Sequence, residues 1–86
     1  MNSINQHTEV LSFLNLQVRS LLDLEEHNID PYLNLFELGL HSLAIVQLVS
    51  RIRSEYGIQI QIKDLFVAVC LYEMASLIAT RLTRPQ

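Results

Sequence analysis

Three stretches of this chain place apolar residues at steps of three and four. The first is Val10, Leu11, Leu14, Val18, Leu21 and Leu22, the second Ile45, Leu48, Val49, Ile52 and Tyr56, the third Leu71, Met74, Leu77, Ile78 and Leu82. That spacing sets each group on one face of an α-helix, and such a face is stable only when something covers it. The stripes predict helices over about residues 4–22, 42–56 and 71–82 that cover one another. Ser3 and Gln6 have capping-box spacing at the start of the first helix. Ser42 is the expected N-cap of the second and Gly57 its stop.

The rest of the chain is connection. Ile58-Gln59-Ile60-Gln61-Ile62 alternates strictly, which read locally is a β-strand. A lone strand among helices has nothing to pair with, so an extended link into a short helix over about 62–66 is expected instead. Residues 23–41 have no period, and Asp30-Pro31 opens a turn there. This loop nevertheless carries Ile29, Tyr32, Leu33, Leu35, Phe36 and Leu38, so it is expected to pack on the core with a helical turn near 33–38. The predicted fold is all-α: a small bundle of three main helices plus one short one, forming a single domain over residues 1–86. Half of the residues are hydrophobic, enough for one small core, and two glycines and two prolines are too few for a loop-rich chain.

Charge and cysteine content exclude several function classes. The net charge is −3, with Asp23, Glu25, Glu26, Asp30 and Glu37 in a stretch that has no Lys or Arg. Arg51, Arg53 and Lys63 make residues 42–66 slightly basic, far short of a nucleic-acid footprint. Cys70 is the single cysteine, so no internal disulfide forms and a reducing compartment fits. It is read as a core or helix-start residue, because no charged neighbour closer than Glu73 tunes its thiol. The opening MNSINQHTEV lacks the features of a signal peptide, and no apolar run is long enough to span a membrane. A cytosolic monomer is expected.

The stretch from Glu37 to Val49, ELGLHSLAIVQLV, interrupts an apolar run with Gly39, His41 and Ser42. If Ser42 were only a cap, the second face of its helix would have no explanation. Leu43, Val46, Gln47, Ser50 and Arg53 share that face, and Leu40 extends it on the loop side. Together with His41 these residues predict a surface on which other proteins dock. Catalysis by Ser42 and His41 is disfavoured, because adjacent residues at a helix start do not face each other and no third group orients a base. His7, His27 and His41 lack metal-ligand spacing, so neither an enzyme nor a zinc site is expected.

At these residues the chain resembles the phosphopantetheine-dependent carrier proteins, the acyl and peptidyl carriers of fatty acid, polyketide and nonribosomal peptide synthesis. Leu38-Gly39-Leu40-His41-Ser42-Leu43 looks like their attachment motif. Asp30-Pro31 with Asn34-Leu35-Phe36-Glu37-Leu38-Gly39 is similar to the loop before it. Arg51-Ile52-Arg53-Ser54-Glu55-Tyr56-Gly57 followed by Lys63-Asp64-Leu65-Phe66 is similar to the family's segment from the second to the third helix. The resemblance covers nearly the whole chain. It implies that a phosphopantetheinyl transferase attaches the 4'-phosphopantetheine arm of coenzyme A to Ser42, and that the arm's thiol holds cargo as a thioester. It further implies an adenylating or other loading enzyme and downstream condensing, tailoring or releasing enzymes as partners. Gly39 would keep the approach to the serine uncrowded.

His41 stands where fatty acid and polyketide carriers usually have Asp and peptidyl carriers often have His. With Arg51 and Arg53 on the second helix, this points to a peptidyl or aryl carrier. The chain's start at Met1 and its short ends suggest a free-standing protein. The alternatives are an acyl carrier and, from another class, an unmodified helical adaptor. Leu40 replaces a glycine common in peptidyl carriers, and Val69-Cys70 replace a common Pro-Thr. Loss of that Thr cap predicts a frayed or shifted start to the last helix.

Overall fold

The computed structural model describes residues 3–24 and 28–83. Four helices follow in order: α1 (Ser3–Leu22), α2 (Ser42–Tyr56), α3 (Ile62–Val67) and α4 (Leu71–Thr83). All four lie where the sequence puts them, to within a residue at each end. The three apolar stripes meet in one cluster, in which Leu14, Val18, Ile45, Leu48, Ile52, Leu71, Met74 and Ile78 are fully buried. α1 and α4 share the most extensive contact, and α2 packs on α1. The side chains of Ser3, Ile4 and Asn5 lie outside the described residues, and with them the expected capping box; so does His27.

α1 ends in a Schellman arrangement with Asp23 in the left-handed position usually given to glycine, at φ 55°. The Leu24 N–H donates to the Arg19 carbonyl at 2.9 Å and the Asp23 N–H to that of Ser20 at 3.3 Å. Asp accepts this conformation more readily than most side chains. Gly57 ends α2 as expected, at φ 65°, its N–H donating to the Arg53 carbonyl.

The loop before α2 packs down as its composition requires. Ile29, Leu35 and Leu40 are buried, while Tyr32 stays on the surface. The Asp30 and Asn34 carboxyl and amide oxygens accept from the Tyr32 and Phe36 N–H groups, each at 2.9 Å, fixing two Asx turns. The expected helical turn near 33–38 is a run of tight turns, with Glu37, Leu38 and Gly39 N–H groups donating three residues back. The loop is also tied to the α3–α4 junction. The Leu35 N–H donates to the Val69 carbonyl and the Tyr72 N–H to that of Pro31, each at 2.9 Å. The second bond occupies an N–H in the first turn of α4, where the lost Thr cap had suggested fraying. α4 begins at Leu71, neither frayed nor shifted.

Residues 58–61 join α2 to α3 without forming a strand, with Gln61 extended, Ile60 buried and Ile58 half-buried. Side chains stand in for a partner strand. Arg53 Nε donates to the Ile60 carbonyl at 2.7 Å, and Arg81 Nη1 donates to that of Gln59. The Asp64 carboxylate accepts from the Gln61 N–H at 2.8 Å and faces Arg81 at 3.6 Å, so α3 is pinned at its start. Cys70 is buried directly before α4, as read from the sequence.

Candidate functional site

Gly39 decides how the chain enters α2. Its φ of 109° lies where side-chain-bearing residues rarely go, and an added Cβ would meet nothing within 4 Å. Within the fold, therefore, it is the backbone conformation that calls for glycine here. After this turn the Leu40 N–H donates back to the Leu35 carbonyl at 3.0 Å. Leu40 is thereby carried inward and is buried, so it extends the core and not the surface patch assigned to it from sequence.

The next residue corrects a second expectation. The N-cap of α2 is His41, not Ser42. His41 is extended, at φ −125° and ψ 174°, and its Nδ1 accepts from the Ala44 N–H at 3.3 Å. Its carbonyl accepts from the Ile45 N–H at 2.9 Å, the first bond of the helix. Ser42 is the first residue within α2 and is exposed, and among the described residues nothing bonds its hydroxyl. The imidazole is turned toward Ala44 and is not placed as a base on Ser42. Among the described residues no group of His, Cys, Asp or Glu could hold a metal ion.

Beyond Ser42 the two faces of α2 separate cleanly. Ala44, Ile45, Leu48, Val49 and Ile52 are buried, while Leu43, Val46, Gln47 and Ser50 are exposed, Leu43 by 62%. Arg53 shares the exposed face, but its guanidinium is committed to the Ile60 carbonyl. Arg51 likewise donates to Gln17 Oε1 at 2.8 Å. A groove of about 500 Å³ runs between α2 and α3, lined by Val46, Ser50, Arg53, Ile62 and Lys63 among others. The sequence reading missed the contribution of α3, which exposes Ile62, Phe66 and Val67, the last by 80%. The signal was available: a six-residue helix with four apolar residues cannot bury them all.

The family described as "Phosphopantetheine attachment site" matches residues 16–78, well over half of the chain. This chain belongs to that family. It is a carrier domain, not a catalytic one, and the family carries covalently attached 4'-phosphopantetheine. Carrier domains are modified by a phosphopantetheinyl transferase and interact with synthetase partners. The four helices, with no strand among the described residues, are consistent with an acyl-carrier-protein-like fold. The carrier domain is 38% identical over 48 residues to N-(5-amino-5-carboxypentanoyl)-L-cysteinyl-D-valine synthase of Penicillium rubens and of Penicillium chrysogenum. Each match covers 56% of this chain and 1% of the synthase. No solved structure matches the carrier domain. The residues present fit the arm: one exposed, unengaged hydroxyl at a helix start with no acidic side chain in its first turn. No helix among the described residues is long and apolar enough to cross a membrane.

Proposed function

We propose that Ser42 takes the phosphopantetheine arm and that this chain is a carrier of the peptidyl type, holding an aminoacyl or aryl group for nonribosomal peptide synthesis. The observation that carries the site is the exposed Ser42 hydroxyl, without a partner among the described residues, within the Leu38–Leu43 motif. The first-turn N–H groups that a helix cannot pair, and its uncompensated dipole, favour an anion on that residue. When bound, the arm supplies a terminal thiol that holds the cargo as a thioester. This chain's part is to present the attachment residue and to offer partners the face of Leu43, Val46, Gln47 and Ser50. The transferase and its magnesium supply the chemistry of attachment, so Ser42 needs no local base.

Three features support the peptidyl type: His41 before the serine, the positive charge of Arg51 and Arg53 on α2, and the similarity to a peptide-forming synthase. The two arginines are anchored by their hydrogen bonds, which holds their charge in place and does not remove it.

Incubating the apo protein with coenzyme A and a promiscuous phosphopantetheinyl transferase, then measuring the intact mass, tests the carrier role. Gain of one arm is expected, and an unchanged mass would favour a bare adaptor. Side-by-side loading of the holo protein by an adenylating enzyme and by a malonyl-transferring enzyme tests the type. Malonyl loading without aminoacyl or aryl loading would make it an acyl carrier.

A further inference from the structure

We propose that His41 is the positioning residue of the attachment site: by capping α2 with its own ring, it releases the Ser42 hydroxyl from the role that a serine at a helix start ordinarily takes. The last step of this inference rests on Ser42 being the attachment residue; the first does not.

The first-turn N–H groups of a helix need acceptors, and Ser is among the best side chains for supplying one. A serine used in that way has its oxygen bound to backbone two or three residues on. Here the helix begins one residue earlier than the serine preference suggests. His41 is the extended residue, its carbonyl takes the Ile45 N–H, and its Nδ1 takes the Ala44 N–H. Ser42 already has helical backbone and is exposed, its hydroxyl without a hydrogen bond among the described residues. The core fixes this register, because Ala44 and Ile45 are both buried immediately after it.

Two consequences follow from the chemistry of the ring. An imidazole nitrogen accepts only when it carries no proton, so the proton of neutral His41 sits on Nε2. Removal of the ring leaves Ser42 as the best nearby acceptor. The cap then slides forward one residue, and the hydroxyl becomes tied to backbone and less accessible to a transferase.

A double-mutant cycle tests this, with equilibrium unfolding of the parent, His41→Ala, Ser42→Ala and the double variant. His41→Ala should raise the unfolding equilibrium constant about fivefold, the size of one lost cap. Ser42→Ala alone should change it less than about twofold, since no cap is lost. In the His41→Ala background, however, Ser42→Ala should cost clearly more than it does alone, because there the serine has taken over. Additive effects, or a larger loss from Ser42→Ala than from His41→Ala, would overturn the assignment. Nitrogen NMR of the neutral ring should show the Nε2–H tautomer, whereas a predominant Nδ1–H form would exclude the cap.

Transferase kinetics on the same folded proteins then read the positioning role. His41→Ala should be modified more slowly, and His41→Asn, which caps without a ring, should recover much of that loss relative to His41→Ala. Equal slowing in His41→Asn despite recovered stability would mean that the ring serves the transferase directly, and the positioning role would fall. The cycle and the tautomer need no transferase, so a parent protein that takes no arm would defeat the attachment reading and leave the cap standing.

Discussion

Both faces of α2 carry branched apolar residues, and they serve opposite ends. Ile45, Leu48, Val49 and Ile52 on one side are buried against α1 and the loop, while Leu43 and Val46 on the other lie open beside Ser42 and the α3 groove. Hydrophobicity alone does not distinguish them; a turn of the helix does. The buried face holds the helix in register, and that register places Ser42 outside. A carrier needs both, because its partners must reach the serine without disturbing the fold.

Substitution by a charge separates the two faces most sharply. Leu48→Asp should unfold the domain, since an unpaired carboxylate in the core costs about 4 kcal/mol or more, most of a small domain's margin. Val46→Asp should change stability by no more than about 0.5 kcal/mol while slowing modification and loading. Thermal melts and loading rates of the two variants make the comparison. Equal melting of both would mean that Val46 belongs to the core after all.

Arg53 stands where the faces meet, and its replacement should give a smaller, mixed effect. Arg53→Glu loses the bond to the Ile60 carbonyl, worth about 1 kcal/mol, and reverses a charge beside the groove. The stability loss should persist at high salt, whereas the slower association with a loading enzyme should shrink there. Stopped-flow association rates and chemical melts across a salt series separate the two. A purely electrostatic outcome would mean that the strap to residues 57–61 is dispensable.

The three long helices were legible because their apolar periods are long, and α2 also because glycine stops it. The details at the site were not, and each miss has a physical cause. Ser42 is the better capping type, so sequence reasoning gave it the cap, but a histidine ring reached the same N–H group. Leu40 read as a surface residue because it follows a loop; the positive φ of Gly39, invisible in composition, turns it inward. The end of the first helix at residue 22 was legible, but not the left-handed Asp23 that closes it, because aspartate takes that position less often than glycine. The strand-like alternation of residues 58–62 forms no strand: Ile62 already opens α3, and what the alternation could not show was that two arginines would satisfy carbonyls of the link before it. The start of α4 stays firm without a side-chain cap because the Pro31 carbonyl, far away in sequence, accepts from Tyr72.

The smallest expected effect lies at the far end of α2. Tyr56 is half-buried and packs edge-on against Phe13 at 5.3 Å. Burial, then Glu55 and Glu9, push its hydroxyl above the ordinary 10.0. The folded state thus resists ionisation more than the unfolded chain does. The stabilisation is full below about pH 10 and is lost as pH rises through the raised folded value. Tyr56→Phe should flatten that alkaline loss, which denaturant melts on either side of pH 10 would detect. An unchanged alkaline slope would show that Tyr56 is effectively solvated.

Tandem mass spectrometry of the protein after treatment with transferase and coenzyme A tests the attachment residue most directly, with folded Ser42→Ala as the control. The arm is expected on Ser42, with none on the variant. An arm on any other residue, or a variant that still accepts it, would contradict the account.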